Sequence, residues 1–276
     1  MKSRVWEASV GIVLGVHLAA CGRKHVSVDN VPELGYPECA DEDSTETVVA
    51  SGHLRSGPYS PEAGVSERFS LSRTACGYVF RARQDWSLDA SDIEVWYDSA
   101  LTPVWAWKRM TVPGGKSPDE YADVRRYELR SGPVFITRRD VHGQLTHERL
   151  LEGGMGSSHF TTAPGAVVGP GRGVLTAWLR RAHLAVHEKT RALVLDIRAL
   201  VETLEVVTLE RNEDECQSDL GARVRVYTFG GKETVFADGD DVVIGDLAGM
   251  RPSASIDAPE PSRGRAYTKP DPRRPP

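Results

Sequence analysis

The scarcities of this 276-residue chain narrow its class before any motif is read. The longest mostly apolar run is the eleven residues Val10 to Ala20. A membrane-spanning helix needs about 20, so a polytopic membrane protein is excluded. Four cysteines occur and none form Cys-x-x-Cys, which leaves no zinc ribbon and no thioredoxin-type redox site. A basic excess is also missing. The overall charge is −5; Lys2 and Arg4 against Glu7 give residues 1–20 a charge of +1, and six Lys/Arg against three acids give 251–276 a charge of +3. The remaining 230 residues therefore carry −9, and nucleic acid is not an expected partner. Aromatic content is low at 7%, but 40% hydrophobic and 26% charged residues exclude a collagen-like or wholly disordered chain.

The ends of the chain carry the clearest signals. Lys2 and Arg4 precede the short apolar run, which closes in Leu18-Ala19-Ala20-Cys21. This is the three-part layout of a cleaved secretion signal. Leu-Ala-Ala-Cys resembles the lipobox of bacterial lipoproteins. The resemblance implies cleavage between Ala20 and Cys21, lipidation of the Cys21 thiol, and a membrane partner reached through that anchor. Gly22 after the cysteine resembles lipoproteins sent on to the outer membrane, facing the periplasm. Residues 21–48 are acidic, with Glu33, Glu38, Asp41, Glu42, Asp43 and Glu46, and read as a flexible tether. At the far end, 251–276 holds seven of the 17 prolines and has no hydrophobic period; it reads as a disordered Pro/Arg-rich tail. One domain, 49–250, remains to fold.

With Cys21 lipidated, Cys39, Cys76 and Cys216 allow at most one disulfide. Cys76 stands before Gly-Tyr-Val-Phe and reads as the start of a buried strand, where a thiol behaves as a small hydrophobe. Cys39 and Cys216 lie in acidic polar segments, so Cys39–Cys216 is the expected pair.

Within the body, short runs of period two recur: Phe69–Ser72, Gly77–Arg83, Ile93–Asp98, Pro103–Met110, Val124–Arg130, Val134–Arg139 and Leu145–Leu151, then Ala192–Ile197, Leu204–Arg211, Ala222–Phe229, Glu233–Ala237 and Asp241–Gly245. Apolar residues at 174, 175, 178, 179 and 182 predict a helix over about 172–183. Ten or more strands joined by short turns around one main helix give a mainly β, α+β fold with a curved antiparallel sheet or half-barrel. The order of elements, an Asp98-x-x-x-Thr102-Pro103 turn, a Leu175-Thr-Ala-Trp-Leu-Arg-Arg helix and Leu193-Val-Leu-Asp-Ile, resembles uncharacterised periplasmic half-barrel proteins that share the fold of the LolA and LolB lipoprotein carriers. That resemblance implies a sheet wrapped about helices and a lipid-binding cavity.

No catalytic constellation assembles from spacing. Gly-x-Ser-x-Gly is missing, and the histidines at 53, 142, 147 and 159 define no Ser/His/Asp arrangement. His183 and His187 have the i, i+4 spacing of metal ligands, but no carboxylate lies between them. Asp238-Gly-Asp-Asp lacks the ladder of a calcium loop and reads as a turn. Gly169-Pro-Gly-Arg-Gly before the helix reads as a strand-to-helix connection rather than a phosphate loop. Arg125, Arg126, Arg130, Arg138 and Arg139 fall on adjacent strands and read as a charged, solvated face paired with Glu128 and Asp140. No metal and no cofactor is expected. Trp96, Trp105, Trp107 and Trp178 are the candidate lining of an apolar-ligand cavity, the first three on neighbouring strands and the last on the helix. The sequence therefore favours a non-enzymatic envelope lipoprotein that binds a lipid or other apolar ligand, or alternatively an interaction lipoprotein that engages another envelope protein.

Overall fold

The computed structural model describes residues 46–57, 60, 64–86, 90–111, 121–129, 134–139, 145–151, 163–198 and 201–253, all within the unit Tyr36–Pro276. The expected signal, the lipidation residue Cys21, nearly all of the tether and the tail beyond Ser253 lie outside them.

Eight strands in sequence form an antiparallel meander: β1 (Thr47–Ser56), β2 (Ser66–Thr74), β3 (Gly77–Asp85), β4 (Ala90–Tyr97), β5 (Pro103–Thr111), β6 (Tyr121–Glu128), β7 (Val134–Arg139) and β8 (Leu145–Leu151). Then come β9 (Ala166–Val168), α1 (Leu175–Ala182), β10 (Lys189–Asp196), β11 (Thr203–Arg211), β12 (Glu215–Gln217), β13 (Ala222–Phe229), β14 (Glu233–Ala237) and β15 (Val243–Asp246). A last short strand, β16 (Met250–Pro252), returns to the outer side of β1. The first sheet, in the order β16-β1-β2-β3-β4-β5-β6-β7-β8, is a half-barrel; the second runs β15-β14-β13-β11-β10-β9, with β12 paired to β13. The expected curved, mainly β architecture is the observed one, with one helix among the described residues. Its folded edges reach two residues beyond 49–250, because Thr47 and Val48 pair in β1 and Arg251 and Pro252 pair in β16.

One pair departs from the antiparallel reading. β9 and β10 are parallel, with Ala166 opposite Val194 and Val168 opposite Asp196. A parallel pair requires a crossover, and α1 is that crossover.

Period two in the sequence becomes two-sidedness in the sheets. Phe69, Leu71, Phe80, Ala82, Ile93, Val95, Ala106, Tyr127, Ile136 and their equivalents on the second sheet bury one face against α1. The helix is buried over five consecutive residues, Leu175 to Leu179, as expected of a helix clasped on all sides rather than one resting on a surface. Trp178 meets Phe229 edge to face at 5.7 Å. The last turn reaches outward: Arg180 donates to the Val49 carbonyl and Arg181 to that of Leu101, where cations also suit the negative end of the helix. His183 ends the helix in the left-handed conformation, φ 41°, its N–H on the Leu179 carbonyl.

Two strand connections use the same device. Asp98 Oδ1 accepts the N–H groups of Ala100 and Thr102, and Asp238 Oδ1 those of Asp240 and Val242. The fourth residue, Leu101 or Asp241, takes positive φ in each. An aspartate accepting from its own backbone is the mechanism of an Asx turn. Asp238-Gly-Asp-Asp is thus a turn, as expected.

The glycines before α1 are set by close approach. A Cβ on Gly171 would lie 2.2 Å from Glu67 Oε1, and one on Gly173 would lie 2.3 Å from the Phe69 ring. Gly171→Ala should lower stability by about 1–3 kcal/mol in urea unfolding, the usual cost of overpacking. Gly239→Ala, whose Cβ meets nothing within 4 Å, should stay within about 0.5 kcal/mol of wild type.

Candidate ligand-binding site

The inner face of the half-barrel changes character along its strands. Across one register row stand Leu71, Phe80, Val95, Ala106, Tyr127 and Ile136, and the row is apolar apart from the tyrosine hydroxyl. The next row ends in Ile93, Lys108, Arg125 and Arg138, each directly opposite its neighbour. The row beyond it holds Glu67, Gln84 and Ser91. Parity puts all of these on the face that carries the core. One end of the interior is consequently polar.

That end is organised by three carboxylates. Glu67, 1% exposed, accepts the N–H groups of Arg172 at 2.7 Å and Gly173 at 2.8 Å, just before α1. The helix has no side-chain cap of its own and no acid in its first turn; the negative charge placed near its start comes from a residue 105 positions away, on the amides that lead into it. The glycine-rich segment is a strand-to-helix connection, as expected, and its amides hold an internal carboxylate. Arg172 then reaches Asp246 at 2.7 Å. Burial pushes the Glu67 carboxyl up to about 7, against the opposing pull of the two amides and Arg172. The third carboxylate is Glu202, which accepts Arg125 Nη1 at 2.5 Å and the Tyr127 hydroxyl at 3.1 Å. Lys108 Nζ donates to the Ile197 and Arg198 carbonyls.

The candidate tryptophans do not form one wall. Trp96 and Trp105 are directly opposite in register and Trp107 is two residues on, so these three do come together. They stand with Val79 on the face turned away from α1, whereas Trp178 belongs to the core on the other side of the sheet. The cause is parity: Ile93, Val95 and Tyr97 take the inner face, which leaves Asp92, Glu94 and Trp96 outside. There Glu94 Oε1 accepts both Trp96 Nε1 (2.7 Å) and Trp107 Nε1 (3.1 Å), and Glu94 Oε2 accepts Arg81 Nε. Arg81 spans on to Glu46 with two hydrogen bonds. Burial works against its charge, but Glu46 and Glu94 outweigh burial and hold the Arg81 guanidinium above its ordinary value. Arg109 lies 4.3 Å over Trp107 and Arg126 lies 5.6 Å over Trp105.

The arginine group divides in the same way. Arg126 pairs with Glu128 at 3.2 Å on the outer face. Arg125, only 2% exposed, is buried on the inner face instead of solvated. Arg130 and Asp140 lie outside the described residues, as does the Arg139 side chain. Sequence reasoning missed Glu67, Lys108 and Glu202, although the shared parity of Arg125, Tyr127 and Leu129 already carried a signal for an inward arginine.

The cysteine expectation is corrected. Cys216 is free and exposed on β12, and the disulfide-bonded cysteine among the described residues is Cys76, in the exposed two-residue turn between β2 and β3. The strand starts at Gly77, one residue later than the apolar pattern suggested, so the Cys76 side chain faces outward. Cys39 lies outside the described residues. His183 and His187 do not converge. His183 Nδ1 is 3.2 Å from Asp241, and His187 Nε2 is 3.6 Å from Glu213. Burial would raise the Asp241 carboxyl, but hydrogen bonds from Tyr227 and Arg225, both 2.6 Å, hold it below the usual range. Among the described residues no three His, Cys, Asp or Glu side chains group as a metal site would require, and no helix is long and apolar enough to cross a membrane.

No protein-family model matches the sequence, and no curated protein matches it. Among solved structures, a DUF1089 family protein from Pseudomonas aeruginosa is similar at 15% identity over 68% of this chain and 91% of the other, with a TM-score of 0.40. A β-barrel-like protein of domain of unknown function DUF1849 from Brucella abortus is similar at 11% identity over 72% of this chain and 85% of the other, with a TM-score of 0.38.

A pH dependence follows from Glu67. Its folded value of about 7 lies above the ordinary 4.5, so the folded state keeps a proton that the unfolded chain has lost. This contribution is fully present below pH 4.5 and is lost as pH rises to about 7, a fall of about 3 kcal/mol. Urea unfolding of wild type and Glu67→Gln from pH 4.5 to 8 should show that fall in wild type alone; parallel profiles would refute it.

Proposed function

We propose that the protein is a lipid-anchored lipoprotein of the bacterial cell envelope, attached through Cys21 and facing the periplasm from the outer membrane. In this reading its half-barrel binds a lipid or other amphiphile between the first sheet and α1, and it performs no catalysis. The anchor rests on Leu18-Ala19-Ala20-Cys21 behind a short charged and apolar leader. The ligand rests on one observation: the inner face passes from an apolar row, Phe80 to Ile136, to the cationic row of Lys108, Arg125 and Arg138 within two residues along β5, β6 and β7. An interior apolar over most of its extent and charged at one end matches a molecule with a tail and a polar head. Of the four tryptophans only Trp178 serves such a ligand, since the other three lie across the sheet.

Each part has its own check. Growth with a labelled fatty acid should label the wild-type protein and leave Cys21→Ser unlabelled; label retained on the serine variant would refute the anchor. Native mass spectrometry and organic extraction of the protein released from membranes should recover a lipid in stoichiometric amount. Repeated recovery of empty protein would count against the ligand.

A further inference from the structure

Burying like charges side by side is unfavourable, yet the half-barrel sets three cations in line. Lys108 opposes Arg125, and Arg125 opposes Arg138, on three successive strands and on the inner face. Lys108 and Arg125 are 3% and 2% exposed. An oxyanion already sits among them, for the Glu202 carboxylate is held jointly by the Arg125 guanidinium and the Tyr127 phenol. A guanidinium and a phenol converge on one carboxylate oxygen, and the Lys108 ammonium, which donates to the Ile197 and Arg198 carbonyls, stands directly opposite Arg125; together they are a donor set suited to phosphate as well.

A second, independent observation lies one row away. Gln84 and Ser91 are directly opposite each other on β3 and β4, 4% and 1% exposed, and Gln84 Oε1 and Ser91 Oγ have no hydrogen-bond partner. Buried polar atoms are nearly always satisfied. Ser91 stands two residues before Ile93, which opposes Lys108, so the unsatisfied pair and the cationic row make one continuous patch across β3 to β7. An acceptor oxygen and a hydroxyl beside a row of cations fit a ligand that carries hydroxyl groups next to its negative charge.

We propose that this patch, Lys108, Arg125 and Arg138 with Gln84 and Ser91, binds an anionic phosphate head group bearing free hydroxyls, in competition with the internal carboxylate of Glu202. The proposal rests on the reading of the half-barrel as a lipid-binding module and names the head group which that module selects. Phosphate oxygens take the cations, while head-group hydroxyls donate to Gln84 Oε1 and exchange a hydrogen bond with Ser91 Oγ.

The test uses the full-length protein in neutral detergent micelles. It is titrated separately with dioleoylphosphatidylglycerol, dioleoylphosphatidylcholine and inorganic phosphate, and retained ligand is measured by native mass spectrometry. Phosphatidylglycerol, anionic and hydroxylated, should bind at least tenfold tighter than the zwitterionic choline lipid. Arg138→Gln should remove most of that preference, and Glu202→Gln, which withdraws the competing carboxylate, should tighten phosphatidylglycerol severalfold. Equal binding of the two lipids, unchanged in both variants, would overturn the head-group site and leave the lipid module standing. Phosphate binding that is lost in Arg138→Gln, with neither lipid retained, would support the site and overturn the module. No binding of any of the three would overturn both. Should Arg138→Gln fail to fold, as judged by circular dichroism, Glu202→Gln decides: failure to tighten phosphatidylglycerol refutes the proposal.

Discussion

The carboxylate of Glu67 on the amides of Arg172 and Gly173 is the contact through which the parts of this fold are held in one arrangement. It fixes the start of α1 to the second strand of the half-barrel. Arg172 carries the connection to Asp246 at the end of β15, and Asp246 accepts the Met250 N–H at the start of β16. Because β16 pairs with β1, the chain of contacts returns to the first sheet. A buried carboxylate is costly unless satisfied, and here two amides and a guanidinium offset the cost only in part, which is why its proton is held so tightly. The requirement propagates into the backbone: Gly171 and Gly173 have no room for a side chain because Glu67 and Phe69 occupy that space.

The other end of the helix is secured by different means. Arg180 and Arg181 reach carbonyls of the first sheet and the β4–β5 turn, while His183 reaches Asp241 in the β14–β15 turn. The two Asx turns thereby receive opposite sides of the same helix end. With both ends fixed, the five buried residues of α1 meet both sheets in one orientation, and the polar end of the interior stays aligned with the helix start.

Local pattern was enough to read the helix, most hairpins and the class of fold. Period two also assigned faces within each strand, but it does not say which face receives the helix. That is why period two alone does not separate Trp178, which packs in the main core, from Trp96, Trp105 and Trp107, which cluster together across the sheet. The deciding signal was the alternation of Asp92, Glu94 and Trp96 with Ile93, Val95 and Tyr97. What no local pattern holds is pairing at a distance. Glu67 meets Arg172 across 105 residues, and Arg125 meets Glu202 across 77. The same holds for the disulfide, since acidic surroundings at Cys216 describe a solvated ribbon and carry no information about a partner.

The return of β16 to the outside of β1 has a topological outcome. The last strand of the described residues pairs antiparallel with the first, and Ser253 N–H donates to the His53 carbonyl, so β16 runs along β1 in the direction of Thr47. At about 3.3 Å per residue, the six residues from His53 back to Thr47 span roughly 20 Å. A bridge of about seven extended residues would therefore join the two ends, making the domain a natural candidate for circular permutation, with new termini opened at any exposed turn without unthreading a strand.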